Sequence, residues 1–448
     1  SKKFRRTREL DEKTNFQRTV IQEFPETTKS SPAEVVVLLF DEVAGQLQPG
    51  DRATINGIVR ERGNDRDAKG ELFLDAVSIE KDGSDDIEIT KEDVQRIKEL
   101  AANSEIYDKL VKSIAPAIFG HEDIKLAIAL QLFGGETRIL SDGTRLRGDI
   151  HILLVGDPGI AKSQLLRSVR AIAPRAVYAN GIRSSGVGLT AAAVRDEVDG
   201  KWVLEAGVLV LADKGIALVD EIEKMKSDDR ANILEALEQQ TISVAKAGIN
   251  ATLNSRCAVL AAANPKLGRF DRYTPIVQQF NLEAPLLSRF DLIFAVTDNP
   301  DQETDSEIAE KIIENHNSEN SASAAIPLEI LRKYIVYAKK TIKTIKISKE
   351  SANRIKEFYV SLRSKAKENS PIPITARQLE ALIRLAKASA KVRLSDEVTI
   401  EDVERAIELV RKSIEQIALD PETGEIDIDY AFSGTSKTQR DRILTIIE

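Results

Sequence analysis

The pattern of apolar and polar positions changes period along the chain. Short apolar runs come first. Residues 35–40 (Val-Val-Val-Leu-Leu-Phe), 51–60 and 72–79 are separated by Pro49-Gly50 and by the polar stretch 61–70. Short strands spaced by turn residues predict a small β-rich unit of OB-fold type. Residues 82–89 are polar. Thr90-Lys-Glu-Asp93 then supplies an N-cap with an acid three residues on, opening a helix over 94–100. From 115 to 300, near-continuous apolar runs alternate with helix-period stretches; the runs include 151–155, 215–219, 257–263 and 292–294. Unbroken apolar strands between helices predict an α/β core built on a parallel sheet. Residues 326–418 carry helical periodicity, and Thr399-Ile-Glu-Asp402 caps the last helix. No internal repeat interrupts this order.

These shifts divide the chain into six segments. Residues 1–85 form a partial OB-fold-like unit and 86–114 a linker with an entry helix. Residues 115–300 form the α/β core with hairpin inserts, and the Asn/Ser-rich stretch 301–325 is a flexible boundary. Residues 326–418 form a helical lid. Residues 419–448 are a linker followed by the start of a further helix.

The chemistry begins at the end of the first core strand. Gly156-Asp157-Pro158-Gly159-Ile160-Ala161-Lys162-Ser163 links the run 151–155 to a helical stretch. Strand, glycine loop, lysine-hydroxyl pair and helix make a phosphate cradle. Loop N–H groups and the helix dipole face the phosphates, Lys162 reaches the terminal ones, and Ser163 is placed to ligate Mg²⁺. The general pattern has Gly before the lysine; here it is Ala161, which takes positive φ less freely. The next signal, Gly215-Ile-Ala-Leu-Val-Asp220-Glu221, is a buried-strand pattern ending in two acids. It predicts carboxylates at the carboxyl edge of the sheet, Asp220 for the metal shell and Glu221 to polarise water. Asn264, at the end of the run 257–263, is placed to orient that water or to sense the γ-phosphate. Arg289 opens another apolar run. It is either salt-bridged within the chain or an arginine finger for a neighbouring subunit's site. Arg377, in the first turn of a later helix, is a second candidate γ-phosphate sensor.

Taken in order, the lysine loop, Asp220-Glu221, Asn264-Pro265, Ser288-Arg-Phe-Asp291 and Thr375-Ala-Arg377-Gln-Leu-Glu380 resemble the minichromosome maintenance (MCM) family of AAA+ helicases. Ile118-Phe-Gly-His-Glu-Asp-Ile-Lys-Leu-Ala127, Gly188-Leu-Thr-Ala191, Glu205-Ala-Gly207 and residues 238–248 carry the same resemblance. It implies an AAA+ P-loop ATPase core with a helical lid, in which Ala161 is usual. It also implies ATP and Mg²⁺ as cofactors and an ATP-dependent replicative DNA helicase assembled as a homo-oligomeric, hexameric ring. Arg289 and Arg377 would then act on the adjacent subunit's nucleotide. Single- and double-stranded DNA and other replication factors are the implied partners. The cell is archaeal-like, the site cytoplasm or nucleoid, and the segment after 435 a severed winged-helix domain.

Two inserts bear on DNA. In residues 241–253, Ile242 and Val244, then Ile249, Ala251 and Leu253, alternate about a Lys-Ala-Gly turn. That is a hairpin with Lys246 at its tip. An ammonium there is either solvated or grips a phosphate as a point charge; the resemblance implies the phosphate. The second insert, 180–207, holds a hairpin with an Asp-Gly turn, and Trp202 is read there as a packing residue before a base-stacking one. In the N-terminal unit the stretch 60–69 carries Arg60, Arg62, Arg66 and Lys69 among interleaved acids. It is either a solvated tip or, as the family implies, a channel-facing DNA contact.

Composition narrows the alternatives. The 448 residues carry a net charge of −8, against indiscriminate nucleic-acid coating but not against local basic elements. One cysteine excludes disulfides within the chain, and with three histidines leaves no structural zinc set. No apolar run approaches the ~18–20 residues of a membrane-spanning helix, so no membrane is expected. A chelatase-type AAA+ motor, a catalytically idle scaffold and a monomeric form stay open at this stage.

Overall fold

The protein is described by a computed structural model over residues 14–23, 33–62, 71–81, 87–181, 188–189, 191–195, 202–225, 227–246, 248–271, 274, 276–297, 306, 309–310, 313, 324–365 and 376–418. Two units divide at Asp86/Ile87. Residues 419–448 and most of 301–325 lie outside the described set.

The first unit is a four-stranded sheet of β1 (Phe16–Gln22), β2 (Glu34–Phe40), β3 (Ala53–Arg62) and β4 (Glu71–Lys81), in the order β1-β2-β4-β3. Strand β1 escaped the sequence reading because its residues are polar at half the positions and only partly buried. Strand β2 alternates, with Val37 and Leu39 fully buried and Val35 exposed, as a sheet with one covered face requires. β3 and β4 are antiparallel with a bulge at Asn56/Gly57. A Cβ on Gly57 would lie 2.5 Å from the Asp75 carbonyl oxygen, so the bulge needs glycine. The described residues thus form the expected β-rich unit as a four-stranded sheet, with 24–32 and 63–70 outside the described set.

The second unit carries the predicted parallel sheet. Its entry helices are α1 (Lys91–Ala101), α2 (Ile106–Ser113) and α3 (Glu122–Phe133). Thr90 and Asp93 form the expected capping box on α1. A short ribbon, β5 (Arg138–Ile139) and β6 (Arg145–Leu146), precedes β7 (His151–Gly156), α4 (Lys162–Ile172) and β8 (Ala176–Asn180). Next come the hairpin β9 (Ala191–Arg195) and β10 (Trp202–Ala206), the short α5 (Val208–Leu211), β11 (Ile216–Asp220) and α6 (Ser227–Gln239). The second hairpin is β12 (Thr241–Lys246) and β13 (Ile249–Asn254), followed by β14 (Ala258–Ala263), α7 (Ala284–Leu287) and β15 (Leu292–Val296). The sheet order is β15-β7-β14-β11-β8, every pair parallel. Each residue of β7, β11 and β14 is buried. This is why these segments read as continuous apolar runs rather than alternating ones.

The lid comprises α8 (Leu328–Thr341), α9 (Lys349–Lys365), α10 (Ala376–Val392) and α11 (Ile400–Ala418). A two-residue ribbon, β16 (Lys346–Ile347) with β17 (Glu397–Val398), ties its loops. It is not a loose appendage. Tyr334 of α8 packs edge-on against Phe133 of α3, ring centroids 5.0 Å apart. On α11, Ser413 brackets β15 by accepting from Ile293 N at 3.0 Å and donating to Ile293 O at 2.7 Å.

Candidate active site

The lysine loop leaves β7 at Gly156. No side chain fits there, since a Cβ would lie 2.6 Å from the Val296 carbonyl oxygen of β15. Gly159 then takes φ +92° and Ala161 takes φ +53°. Ala161 is the N-cap of α4, so the methyl-bearing residue does adopt the left-handed turn that glycine would fill more cheaply. Asp157 is buried and accepts from Phe270 N at 2.6 Å. Lys162 is buried as well. Its Nζ donates to the carbonyls of Gly156 and Asp157, each at 2.6 Å. Burial lowers its pKa, and the carboxylates of Asp157, Asp220 and Glu223 oppose that shift. Pro158, Ile160 and Ser163 complete the turn and the first helical step. A buried ammonium beside a helix N-terminus is a donor set that fits a polyphosphate.

The carboxylates lie at the same edge of the sheet. Asp220 ends β11, is buried, and accepts from the Tyr178 hydroxyl at 2.8 Å and from Glu221 N at 3.0 Å. Burial and that hydrogen bond push the Tyr178 phenol up to about 12. Glu221 turns the chain with φ +53°. It accepts from Lys224 Nζ at 2.7 Å and Asn180 Nδ2 at 3.1 Å. Its pKa is lowered, chiefly by Lys224. Asn264 follows β14, the strand between β7 and β11, and so stands between the lysine loop and the acids. Its Nδ2 donates to Glu223 Oε1 at 2.9 Å, while the buried Glu223 Oε2 has no hydrogen-bond partner. Among the described residues no three or more His, Cys, Asp or Glu side chains group as a metal site. Mg²⁺ needs only one or two protein ligands, and Ser163 and Asp220 suit it.

The arginines lie elsewhere. Arg289 precedes β15, and Asp291 N bonds to His151 O at the start of β7. Arg289 is therefore at the amino edge of a parallel sheet whose carboxyl edge holds the lysine loop. The six residues of β7 between these edges span about 20 Å. Arg289 grips Glu238 with both terminal nitrogens, Nη1–Oε1 2.7 Å and Nη2–Oε2 2.5 Å. Arg377 Nη2 reaches the same carboxylate at 2.9 Å, and its Nη1 reaches Ser288 Oγ at 3.3 Å. The sequence alternatives for Arg289 are thus resolved in one respect: within this chain it is ion-paired.

The comparisons with known proteins fit this arrangement. Residues 93–316 match the model of the MCM P-loop domain, half of the chain, and residues 329–414 match the MCM AAA-lid domain. The chain belongs to the minichromosome maintenance family. It is 46% identical to the minichromosome maintenance protein MCM of Saccharolobus solfataricus, over 98% of this chain and 66% of that protein. It is 39% identical to DNA replication licensing factor MCM4 of Arabidopsis thaliana, over 94% of this chain and 54% of that protein. It is 40% identical to DNA replication licensing factor MCM3 of Gallus gallus, over 87% of this chain and 55% of that protein. The chain thus spans between half and two thirds of the length of these relatives. Its core is an AAA+ P-loop domain with a lid.

The inserts match the expected hairpins with two corrections. β12 and β13 pair from Thr241↔Asn254 to Lys246↔Ile249. Lys246 is therefore the last strand residue, not part of the turn. Gly248, between the two strands, takes φ +80°, as a tight hairpin demands. The Lys246 side chain is outside the described set, as is that of Arg62, which ends β3; Arg66 and Lys69 lie wholly outside it. Arg60 pairs with Asp75 across the sheet at 2.7 Å. Trp202, expected as packing, opens β10 with 49% of its surface exposed; among the described residues its hairpin hydrogen-bonds as a two-stranded ribbon. Sequence reasoning missed Tyr178, Asn180, Glu223, Lys224 and Glu238. Glu223 and Lys224 sit in a charged run that reads as solvated surface, and Glu238 looks like any helix acid. Only Asn180, a polar residue ending a strand, gave a signal of its own.

Proposed function

We propose that this chain is the motor portion of an ATP-driven replicative DNA helicase that works as a ring, each nucleotide site being shared by two subunits. One observation carries the reading. The lysine loop, Asp220, Glu221 and Asn264 gather at the carboxyl edge of the sheet, whereas Arg289 and Arg377 meet at the amino edge. No single chain can close such a site, but head-to-tail neighbours can, and repetition of that contact gives a ring. The hexamer named by the family resemblance is one such closed form. Relatives named as DNA replication licensing factors support the replicative setting; the cytoplasm or nucleoid and the other replication factors rest on the family resemblance alone. No helix among the described residues is long and apolar enough to cross a membrane.

In this mechanism Lys162 turns from the Gly156 and Asp157 carbonyls to the β- and γ-phosphates. Ser163 and Asp220 would hold Mg²⁺, which would supply neutralisation of phosphate charge. Glu221 stays ionised at neutral pH, since its pKa is lowered, and so accepts a hydrogen bond from the attacking water. Glu223 takes one N–H of Asn264 and thereby fixes which way that amide faces the water. Arg289 and Arg377 of the adjacent subunit meet the charge developing on the γ-phosphate. β12 and β13, which run into β14 and Asn264, carry Lys246 against a DNA phosphate. Phosphate contacts carry no sequence information.

Steady-state hydrolysis tests the reading, with and without single-stranded DNA. Glu221→Gln and Arg289→Ala are each expected to be inactive alone and partly active when mixed. Hydrolysis indifferent to DNA would sink the helicase reading, and an inactive mixture would sink the shared site.

A further inference from the structure

The ion pairs at the amino edge bring two cations onto one anion. Glu238 Oε1 is shared by Arg289 Nη1 at 2.7 Å and Arg377 Nη2 at 2.9 Å, and Oε2 takes Arg289 Nη2 at 2.5 Å. Left together, two guanidiniums repel each other. One carboxylate between them cancels half of that charge and leaves the cluster a net positive charge. The two arginines come from distant parts of the chain, one just before β15 and the other in the first turn of α10. Glu238 is the acid they share, and Ser288, beside Arg289, accepts a hydrogen bond from Arg377.

The anchor itself is held firmly. Glu238 lies in the last turn of α6, and the backbone after it is fixed on both sides. Gln240 takes φ +58°, donates from its N to Ala236 O, accepts from Ser255 N, and bonds through Nε2 to Asp149 Oδ2 at 2.6 Å. One turn earlier, Glu235 accepts from Ser243 of β12 at 2.7 Å. The Glu238 and Arg377 side chains are about equally exposed, at 45% and 44%. Each long side chain samples many rotamers when alone; the fixed backbone at the end of α6 sets where the acid meets the arginines.

We infer that Glu238 is a positioning residue. It gathers Arg289 and Arg377 into one cationic face, preorganised for the terminal phosphate of a nucleotide held by the neighbouring subunit. The inference rests on the shared-site reading. The polyphosphate carries more negative charge than one carboxylate, so it displaces Glu238 from the arginines' outward N–H groups at little cost. What Glu238 contributes is their placement before the neighbour docks. Misplacing a catalytic group by an ångström costs on the order of 10²-fold in rate.

A mixing experiment isolates this role. Arg289→Ala subunits keep their own nucleotide site and lack the donated arginine. Glu221→Gln subunits donate arginines and cannot hydrolyse. Their mixture reports only sites completed across the interface. Adding Glu238→Gln to the Glu221→Gln subunit is expected to lower that mixed rate by roughly tenfold or more. The KM for ATP and the binding of a non-hydrolysable ATP analogue should be unchanged, because Lys162 lies at the far edge of the sheet. A purely structural defect would lower analogue binding and the melting temperature together, and that outcome would overturn the inference. An unchanged mixed rate would also overturn it, as would a raised one, which would make Glu238 a restraint instead. If the mixture without Glu238→Gln shows no restored hydrolysis, the shared-site reading falls and takes this inference with it. That failure is told apart because it appears before Glu238 is altered.

Discussion

At residue scale, the lysine loop holds a strained backbone on a non-glycine residue. Ala161 sits at φ +53° immediately before Lys162, where an L-residue loses roughly 1–2 kcal/mol against the right-handed region. Ala161→Gly is therefore expected to raise the unfolding free energy by about 1 kcal/mol, less the greater freedom of Gly in the unfolded chain. Urea denaturation checks it; a lower midpoint would mean that the methyl group makes packing contacts worth more than the strain. Such strain tends to persist where surrounding structure over-determines it. Here Gly156, closed in by Val296, and the buried Lys162 fix the loop on both sides. The same scale explains Glu223. A buried carboxylate with one oxygen unpaired costs free energy, and it is kept next to Asn264 and Lys162, where a second acceptor has chemical use.

At the scale of elements, the joint between lid and core turns on Asp291. It is almost fully buried and pairs with Arg147 of the core at 3.1 Å and with Arg384 of α10 at 2.6 Å, while accepting from His151 N at 2.8 Å. Burial alone would raise its pKa. The two arginines, then His151, overcome that and hold it at about 2, below the ordinary 3.8. A carboxylate depressed in the folded state stabilises fully above its unfolded pKa and loses that contribution as the pH falls through its folded pKa. Stability is thus expected to fall between about pH 4 and pH 2 through this group. Asp291→Asn should flatten that part of the profile. It should also cost about 3–5 kcal/mol at neutral pH, since it leaves two buried guanidiniums without their anion. Thermal melts across that range check both. A loss below 1 kcal/mol would show that water or Glu380, which pairs with Arg384 at 3.3 Å, takes over the charge.

For the whole molecule, the proposed binding of DNA by an acidic chain with a net charge of −8 would run through local basic elements rather than through its overall field. The β12–β13 hairpin, with Lys246 at the end of its first strand, is the element proposed for this. Binding to single-stranded DNA should weaken as salt rises, because each neutralised phosphate releases counterions. Lys246→Ala should reduce the slope of log K against log salt by roughly one for each hairpin engaged. Fluorescence anisotropy over a salt series measures it; an unaltered slope would remove Lys246 from the DNA path.

The sequence by itself determined the order of the main core elements and pointed to the candidate cis residues. Both are local facts. The lysine loop is a strand-turn-helix written in contiguous residues, and Asp220-Glu221 and Asn264 each end an apolar run whose strand character follows from its period. The capping box at Thr90 and the alternation of the Thr241–Asn254 hairpin were legible for the same reason, though the sequence places its turn one residue early. What only the tertiary structure decided involves partners far apart in the chain. Sheet order placed Asn264 between lysine and acids, and Arg289 at the opposite edge from both. It joined Arg289, Arg377 and Glu238 across more than a hundred residues, and Tyr178 to Asp220 across forty-two. It also left Trp202 exposed where packing was expected. Periodicity tells which face of an element is buried. Which other element buries it, and which charge meets which, is set by the packing of strands that are neighbours in space and not in sequence.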